Sequence, residues 1–446
     1  MKKIREAFFP AQNEKIFKGF GPAFLAIALG IGSGEFILWP YISAHYGFGL
    51  LWGAVLGITF QLIIIVALER YTAFFGEDVL SFFSKIFPYS FYLILFLTLI
   101  GFAWPGFASM IAQLLVLGFH LSLPEIWISF FVLVLAGGIL LLGKSAYKNI
   151  LFVQKVNMSF LLILVSFLFI WYFDIESIQS LFLGLFGKGE HYLLIPAGLS
   201  FVTFLGAVAY AGSGGTLLLM NSFYAEKEEK GLVLESKNDG EFIIPQNEKR
   251  SIENAKNFVH FSWKQNFLFF WFAGLVLIIL LAYVSYTTLY EVGNVSKDFT
   301  FLIQEAHIFS RDIHPILGKL FILSGAFALF GVQLGILDFM GRLAGNKPGF
   351  IYNSLKQKKY YRFAVIGMIL FAFLIFAFGI SQPHTLIIIG STLNAFAMGI
   401  IAYLLYCVEK KLIPKYLFSS FFSIMLPIIS IFYVVFFLYV ILQKFL

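Results

Sequence analysis

Charge is scarce in this chain. Only 12% of its 446 residues are charged, about half the share of an ordinary soluble domain. A water-facing surface of the usual polarity cannot be built from so few. Cysteine is nearly absent: Cys407 stands alone, which excludes an intrachain disulfide and a stapled extracellular fold. The seven histidines (His45, His120, His191, His260, His307, His314, His384) all fall in expected loops or at the ends of apolar stretches, and no His-Glu-x-x-His zinc motif occurs. Ala211-Gly212-Ser213-Gly214-Gly215 faintly resembles a nucleophile elbow. A serine nucleophile needs a base beside it, and no histidine is placed to serve. Hydrolytic chemistry is therefore not expected, and no cofactor is implied. Segment 1–18 is polar and basic without a cleavage-site pattern, which predicts that the first apolar stretch itself acts as the targeting signal.

What fills the chain instead is hydrocarbon. Sixty per cent of residues are hydrophobic and the mean hydropathy is +0.88, outside the soluble range. Crossing about 30 Å of lipid takes about 20 apolar residues in a helix. Eleven stretches qualify: 19–43, 47–70, 88–118, 124–143, 151–173, 194–223, 265–290, 315–340, 362–381, 384–407 and 416–442. They are called spans 1 to 11 below. The expected fold class is an all-α integral membrane protein. The 58 phenylalanines suit a lipid-facing surface and carry no functional meaning of their own.

Basic residues set the expected orientation. Segment 1–18 and the loops on its side hold 26 of the 31 lysines and arginines, against five on the other side (Lys188, Lys297, Arg311, Lys319, Lys444). The N-terminus is thus expected in the cytoplasm and the C-terminus outside, in a plasma or inner membrane. The net charge of +7 follows from this bias. Because the basic residues are scattered over separate loops, nucleic acid is not an expected partner. The expected partners are the bilayer and a small ion or solute.

Gly32-Ser33-Gly34 interrupts span 1, and Gly212-Ser213-Gly214 interrupts span 6. Broken backbone at membrane depth is tolerated only where protein or a watery cavity satisfies the freed groups. Two interrupted helices at matching places in two halves point to a transporter's binding site. Five spans separate the starts of spans 1 and 6, so span 6 enters from the opposite face. Segments 19–173 (spans 1–5) and 194–407 (spans 6–10) then read as inverted repeats, with 416–446 adding span 11. Two loops are long. Within 225–264, Leu232-Val233-Leu234 and Phe242-Ile243-Ile244 flank Asn238-Asp239-Gly240, which predicts a small hairpin. Loop 291–314 predicts a short amphipathic helix over 299–309.

Glu35, just after the first break, is the one acidic residue expected deep in the membrane. An ionisable group there is costly, so it either carries a proton or sits beside a cation. It is the candidate cation ligand and proton carrier; the competing reading is a packing hydrogen bond to a neighbouring helix. Ser33 and Ser213 lie inside the breaks. Hydroxyls and freed carbonyls are hard oxygen ligands, although helix ends at a break also suit an anionic solute, and small residues also serve close helix packing. Gln61, Gln113, Gln333 and Asn394 are mid-span amides, more often interhelical hydrogen-bond partners than ligands; Gln333 and Asn394 are favoured for the site. Asp338 and Arg342 are spaced for an ion pair along one helix. Glu69 and Arg70, at the end of span 2, read as solvated or snorkelling.

Several segments in order resemble the Nramp family of proton-coupled divalent-metal transporters. They are Gly21-Pro22-Ala23-Phe24-Leu25, Ala44-His45-Tyr46-Gly47-Phe48-Gly49-Leu50-Leu51-Trp52, Gly101-Phe102-Ala103 with Ala112-Gln113-Leu114-Leu115, and Phe327-Ala328-Leu329-Phe330-Gly331-Val332-Gln333. The resemblance covers most of the chain and weakens in the long loops and span 11. It implies a LeuT-like fold of 5+5 inverted repeats with helices 1 and 6 broken, and a proton-linked secondary transporter working by alternating access. The chain departs from the family at the metal motifs. Where the family carries Asp-Pro-Gly-Asn, this chain has Gly32-Ser33-Gly34-Glu35. Where it carries Met-Pro-His-Asn, this chain has Tyr210-Ala211-Gly212-Ser213. The family's glutamine in span 10 corresponds to Thr392. Without the methionine thioether, a metal site of Glu35, Ser33, Ser213 and carbonyls would favour Mg²⁺, Mn²⁺ or Ca²⁺ over Cd²⁺. The vacated side-chain volume would equally admit a small organic solute, and a scaffold that has lost transport is the third reading.

Overall fold

The computed structural model describes residue 32 and residues 34–445, apart from 76, 143–145, 189–194, 228–234, 237–241, 244–247, 294, 297, 347–353, 380–382, 414 and 416. The first part of span 1 and Ser33 lie outside the described residues. Among those described, nine helices are long and apolar enough to cross a membrane: Trp52–Phe74, Ser90–Phe119, Glu125–Leu142, Asn149–Trp171, Val259–Leu289, Pro315–Gly345, Leu355–Ala377, Leu386–Lys411 and Ser420–Leu442. These are spans 2–5 and 7–11. Span 1 is described only at residue 32 and from Gly34 onward, and span 6 is interrupted at its Gly-Ser-Gly. The protein is a multi-pass membrane protein.

The spans divide by burial. In span 8, 78% of the most apolar window is buried inside the protein, against 28% in spans 9 and 11. Spans 9 and 11 instead expose large apolar side chains such as Phe363, Leu370, Ile431 and Leu438. An apolar surface that extensive is at rest only against lipid. Spans 2, 3, 8 and 10 are the more buried set, and the breaks of spans 1 and 6 pack among them.

Several boundaries differ from the sequence reading. Span 3 is two helices, Ser90–Phe102 and Gly106–Phe119. Pro105 lacks the N–H to continue the ladder, and the Trp104 indole donates back to the Ile100 carbonyl at 2.7 Å. Span 6 begins at Phe201 rather than 194, where the Ser200 hydroxyl accepts from the Thr203 N–H as an N-cap. Two short helices outside the spans were not anticipated: Val79–Ile86 and Ile175–Leu185, capped by Asp78 and Asp174. Both aspartates accept from an N–H three residues on, a start signal present in the sequence. The amphipathic helix of loop 291–314 forms over Phe301–Asp312. The hairpin in loop 225–264 also forms, with Glu235 opposite Ile243 and Ser236 opposite Phe242. Leu232-Val233-Leu234 and the Asn238-Asp239-Gly240 turn lie outside the described residues.

Candidate functional site at the two helix breaks

Span 1 touches the break of span 6 at Gly34, where its described helix begins. A Cβ placed on Gly34 would collide with the backbone carbonyl of Tyr210, so glycine there permits a main-chain approach no other residue allows. From Gly34 the chain runs as a wide π-turn, Gly34–Leu38, into the helix Trp39–Tyr46. Gly32 abuts Val332 of span 8, with Phe107 of span 3 next nearest at 3.8 Å from a Cβ built there. Span 6 stops at Ala209, passes through Gly212 and Gly214 at φ +146° and +63°, and resumes at Gly215. Positive φ at these two glycines is what breaks the helix.

The sequence left open what satisfies the freed backbone, and the structure answers with Gln61. Its Nε2 donates to the Ala209 carbonyl at 3.0 Å, and its Oε1 accepts from the Gly214 N–H at 3.0 Å. One span 2 amide thus ties both sides of the span 6 break. Span 2 also comes close through Gly57, where a Cβ would strike the Val208 carbonyl and lie 3.1 Å from the Ala211 Cβ. On the opposite flank Asn394 of span 10 donates from Nδ2 to the Gly101 carbonyl at 3.0 Å and to the Tyr210 hydroxyl at 2.9 Å. It joins spans 3, 6 and 10, and its Oδ1 occupies the space a Gly215 side chain would need.

Glu35 is 1% exposed. Its Oε2 accepts from the backbone N–H of Gly32 at 3.2 Å. Among the described residues no lysine or arginine pairs with it. It sits in the first turn of the resumed helix, where the positive end of the helix dipole favours a carboxylate.

Glu35 is not the only acid buried inside the protein. Glu69, Asp338 and Glu409 are buried as well, and each has strong donors. Asp338 pairs with Arg342 at 2.6 Å, one turn on, as its spacing predicts, and also accepts from the Tyr361 hydroxyl at 2.7 Å. Glu69 and Arg70 are buried rather than solvated, a correction to the sequence reading. Glu69 accepts from the Ser262 hydroxyl at 2.5 Å and from Asn266 Nδ2 at 2.9 Å. Arg70 pairs with Glu409 and donates to the Leu417 carbonyl. Glu409 also accepts from the Tyr71 hydroxyl at 2.7 Å. The partners lie on spans 7, 10 and 11, beyond the reach of local pattern. Among the described residues, Glu35 differs from all three in having only backbone donors.

The other candidates sort as follows. Gly32, Glu35, Tyr210, Ala211 and Gly212 lie at or beside the contact between the breaks. Gln333 is buried on span 8, one residue from the Val332 that touches Gly32. Ser213 is buried within the break. Asn394 reaches Tyr210, as above. The Thr392 hydroxyl instead donates to the Ile388 carbonyl of its own helix at 2.8 Å, and its neighbour Ser391 is the one that meets span 6, against Gly206. No group of three or more His, Cys, Asp or Glu side chains that could hold a metal ion occurs among the described residues.

No family model matches the sequence, and no curated protein sequence matches it. Solved structures do match. The Eremococcus coleocola manganese transporter, in complex with an aromatic bis-isothiourea substituted compound, superimposes with a TM-score of 0.66 at 13% identity, over 98% of this chain and 90% of that one. Mhp1, a nucleobase-cation-symport-1 family transporter with bromovinylhydantoin bound, gives 0.56 at 11% identity over 95% and 90%. MhsT in complex with L-phenylalanine gives 0.54 at 13% over 98% and 99%. At these identities the likeness shows the fold: a LeuT-like arrangement of 5+5 inverted repeats with helices 1 and 6 broken, plus an eleventh span.

Proposed function

We propose that the protein is a secondary active transporter that works by alternating access and carries a hard divalent cation, with Glu35 as ligand and proton acceptor. One observation carries the reading: the first described turn of span 1, at Gly34, meets the break of span 6 at Tyr210, with a buried carboxylate beside the crossing that has no cationic side-chain partner among the described residues. A lone carboxylate in that setting must be neutralised by a proton or a bound cation, and exchanging one for the other is the elementary step of proton-coupled cation transport. Carboxylate, hydroxyl and carbonyl oxygens suit Mg²⁺, Mn²⁺ or Ca²⁺. The cation is cargo here, so no resident cofactor is required. The basic bias of the loops supports an N-terminus in the cytoplasm and an external C-terminus in a plasma or inner membrane.

A second reading is a small organic solute carried on the same fold. The absence of a three-ligand acidic or histidine cluster among the described residues favours it. Two of the structural neighbours hold such molecules, a hydantoin and an amino acid. Titration of the purified protein with Mn²⁺ and Mg²⁺, followed by calorimetry beside Glu35→Gln, separates the readings. Saturable heat that vanishes in the variant supports the cation, and no heat with either ion contradicts it.

A further inference from the structure

A cavity of about 560 Å³ opens far from the breaks, lined by Arg70, Phe74, Lys256, Trp263, Phe418 and Phe421 among others. It lies where the apolar helix of span 2 ends at Phe74, where that of span 7 begins at Val259 and where span 11 begins at Ser420. These three ends put it at one edge of the hydrocarbon layer, on the face with the basic excess. Arg70 at its floor is already neutralised by Glu409. Lys256 is exposed and has no acidic partner among the described residues. Lys410 lies close by, its ammonium 5.1 Å from the centre of the Phe418 ring. The mouth therefore carries uncompensated positive charge. The walls are aromatic: Trp263 stacks on Phe422 at 6.2 Å and meets Phe421 edge-on at 5.7 Å. Phe418 and Phe421 remain 40% and 43% exposed.

A cationic mouth over an aromatic wall at the edge of the hydrocarbon fits one kind of ligand, an anion with an apolar tail. We propose that this cavity binds an anionic phospholipid, its phosphate at Lys256 and Lys410 and an acyl chain over Phe418 and Phe421. Basic pockets between spans on the positive face suit anionic headgroups, and the volume lies in the usual range of about 300–1,000 Å³ for small-molecule sites. An acidic peptide would leave the aromatic wall bare, and a nucleotide would place its polar base edges and sugar against hydrocarbon. The lipid would tie the start of span 7 to the end of span 10, above the Arg70–Glu409 pair, and so brace the helices that flank the breaks.

The test is native mass spectrometry of the full-length protein released from nanodiscs of phosphatidylglycerol or phosphatidylcholine, beside Lys256→Gln, Lys410→Gln and the double variant. Both lysines are exposed, so these proteins are expected to fold as the parent does. The parent should retain one phosphatidylglycerol molecule in preference to phosphatidylcholine. Each substitution should weaken retention about five-fold, the factor expected for one lysine at an anionic surface. Equal retention of both lipids, or phosphatidylglycerol retained undiminished by the double variant, would overturn the proposal. So would displacement of the lipid by glycerol phosphate at concentrations comparable to short-chain phosphatidylglycerol, since that would make the site one for a free anion.

Discussion

Replacing Gln61 with methionine tests how the span 6 break is held. The substitution keeps the length and shape of the side chain and removes both hydrogen bonds, to the Ala209 carbonyl and from the Gly214 N–H. Both backbone groups are buried, and leaving one such group unpaired costs about 1–3 kcal/mol. Interhelical hydrogen bonds inside membranes are worth less, about 0.6 on average and up to about 1.7 kcal/mol. For two bonds those scales overlap at about 2–3 kcal/mol, a 30- to 150-fold rise in the unfolding constant. The assay is reversible unfolding of the protein in mixed micelles by a denaturing detergent. Gln113→Met is the control, because Gln113 is half-buried and makes no cross-span hydrogen bond among the described residues; it should move stability by no more than about 0.5 kcal/mol. If Gln61→Met is as stable as the control, the amide does not hold the break and the reasoning fails.

Glu409→Gln should be among the most destabilising single changes, costing about 3–5 kcal/mol because it leaves the Arg70 guanidinium buried without its counter-ion; unfolding as above measures it, and a near-neutral result would contradict the pairing. Gly34→Ala should abolish transport while the protein still inserts, because the added methyl meets the Tyr210 carbonyl and overpacking of that kind costs about 1–3 kcal/mol; uptake at the parent's rate would show that the two breaks need not touch. Glu305, on the helix between spans 7 and 8, is buried and accepts from the Ser285 hydroxyl at 2.8 Å, and burial pushes its carboxyl up to about 8. The folded state holds that proton after the unfolded chain has lost it, so stability should fall as pH rises from about 4.5 to about 8, by up to about 5 kcal/mol. Glu305→Gln should flatten that slope, and a slope unchanged in the variant would refute the assignment.

Much of this architecture was legible from local pattern. Spans 2–5 and 7–11 followed from apolar length alone, and the break in span 6 followed from its Gly-Ser-Gly. Asp338 and Arg342 were legible because their partners share a helix. What escaped is whatever depends on a distant partner. Nothing around Gln61 names Ala209 and Gly214 as its targets, and nothing around Arg70 names Glu409, some 339 residues away. Glu69 and Arg70 therefore looked like a solvated helix end, although they are buried against spans 7, 10 and 11. The proline that divides span 3 and the aspartate caps of the two short helices were visible as residues; long apolar stretches on both sides masked the first, and helices of 8 and 11 residues are too short to show a clear period.

The central claim is that Glu35 at the meeting of the two breaks couples movement of a cation to that of a proton. Its most direct test is uptake into proteoliposomes of Mg²⁺, Mn²⁺, Ca²⁺ and Cd²⁺ at two external pH values, with the parent protein beside Glu35→Gln. The account predicts uptake of a hard cation, little or none of Cd²⁺, a dependence on pH, and loss of both uptake and pH dependence in the variant. Uptake by Glu35→Gln at the parent's rate and with the parent's pH dependence would contradict it.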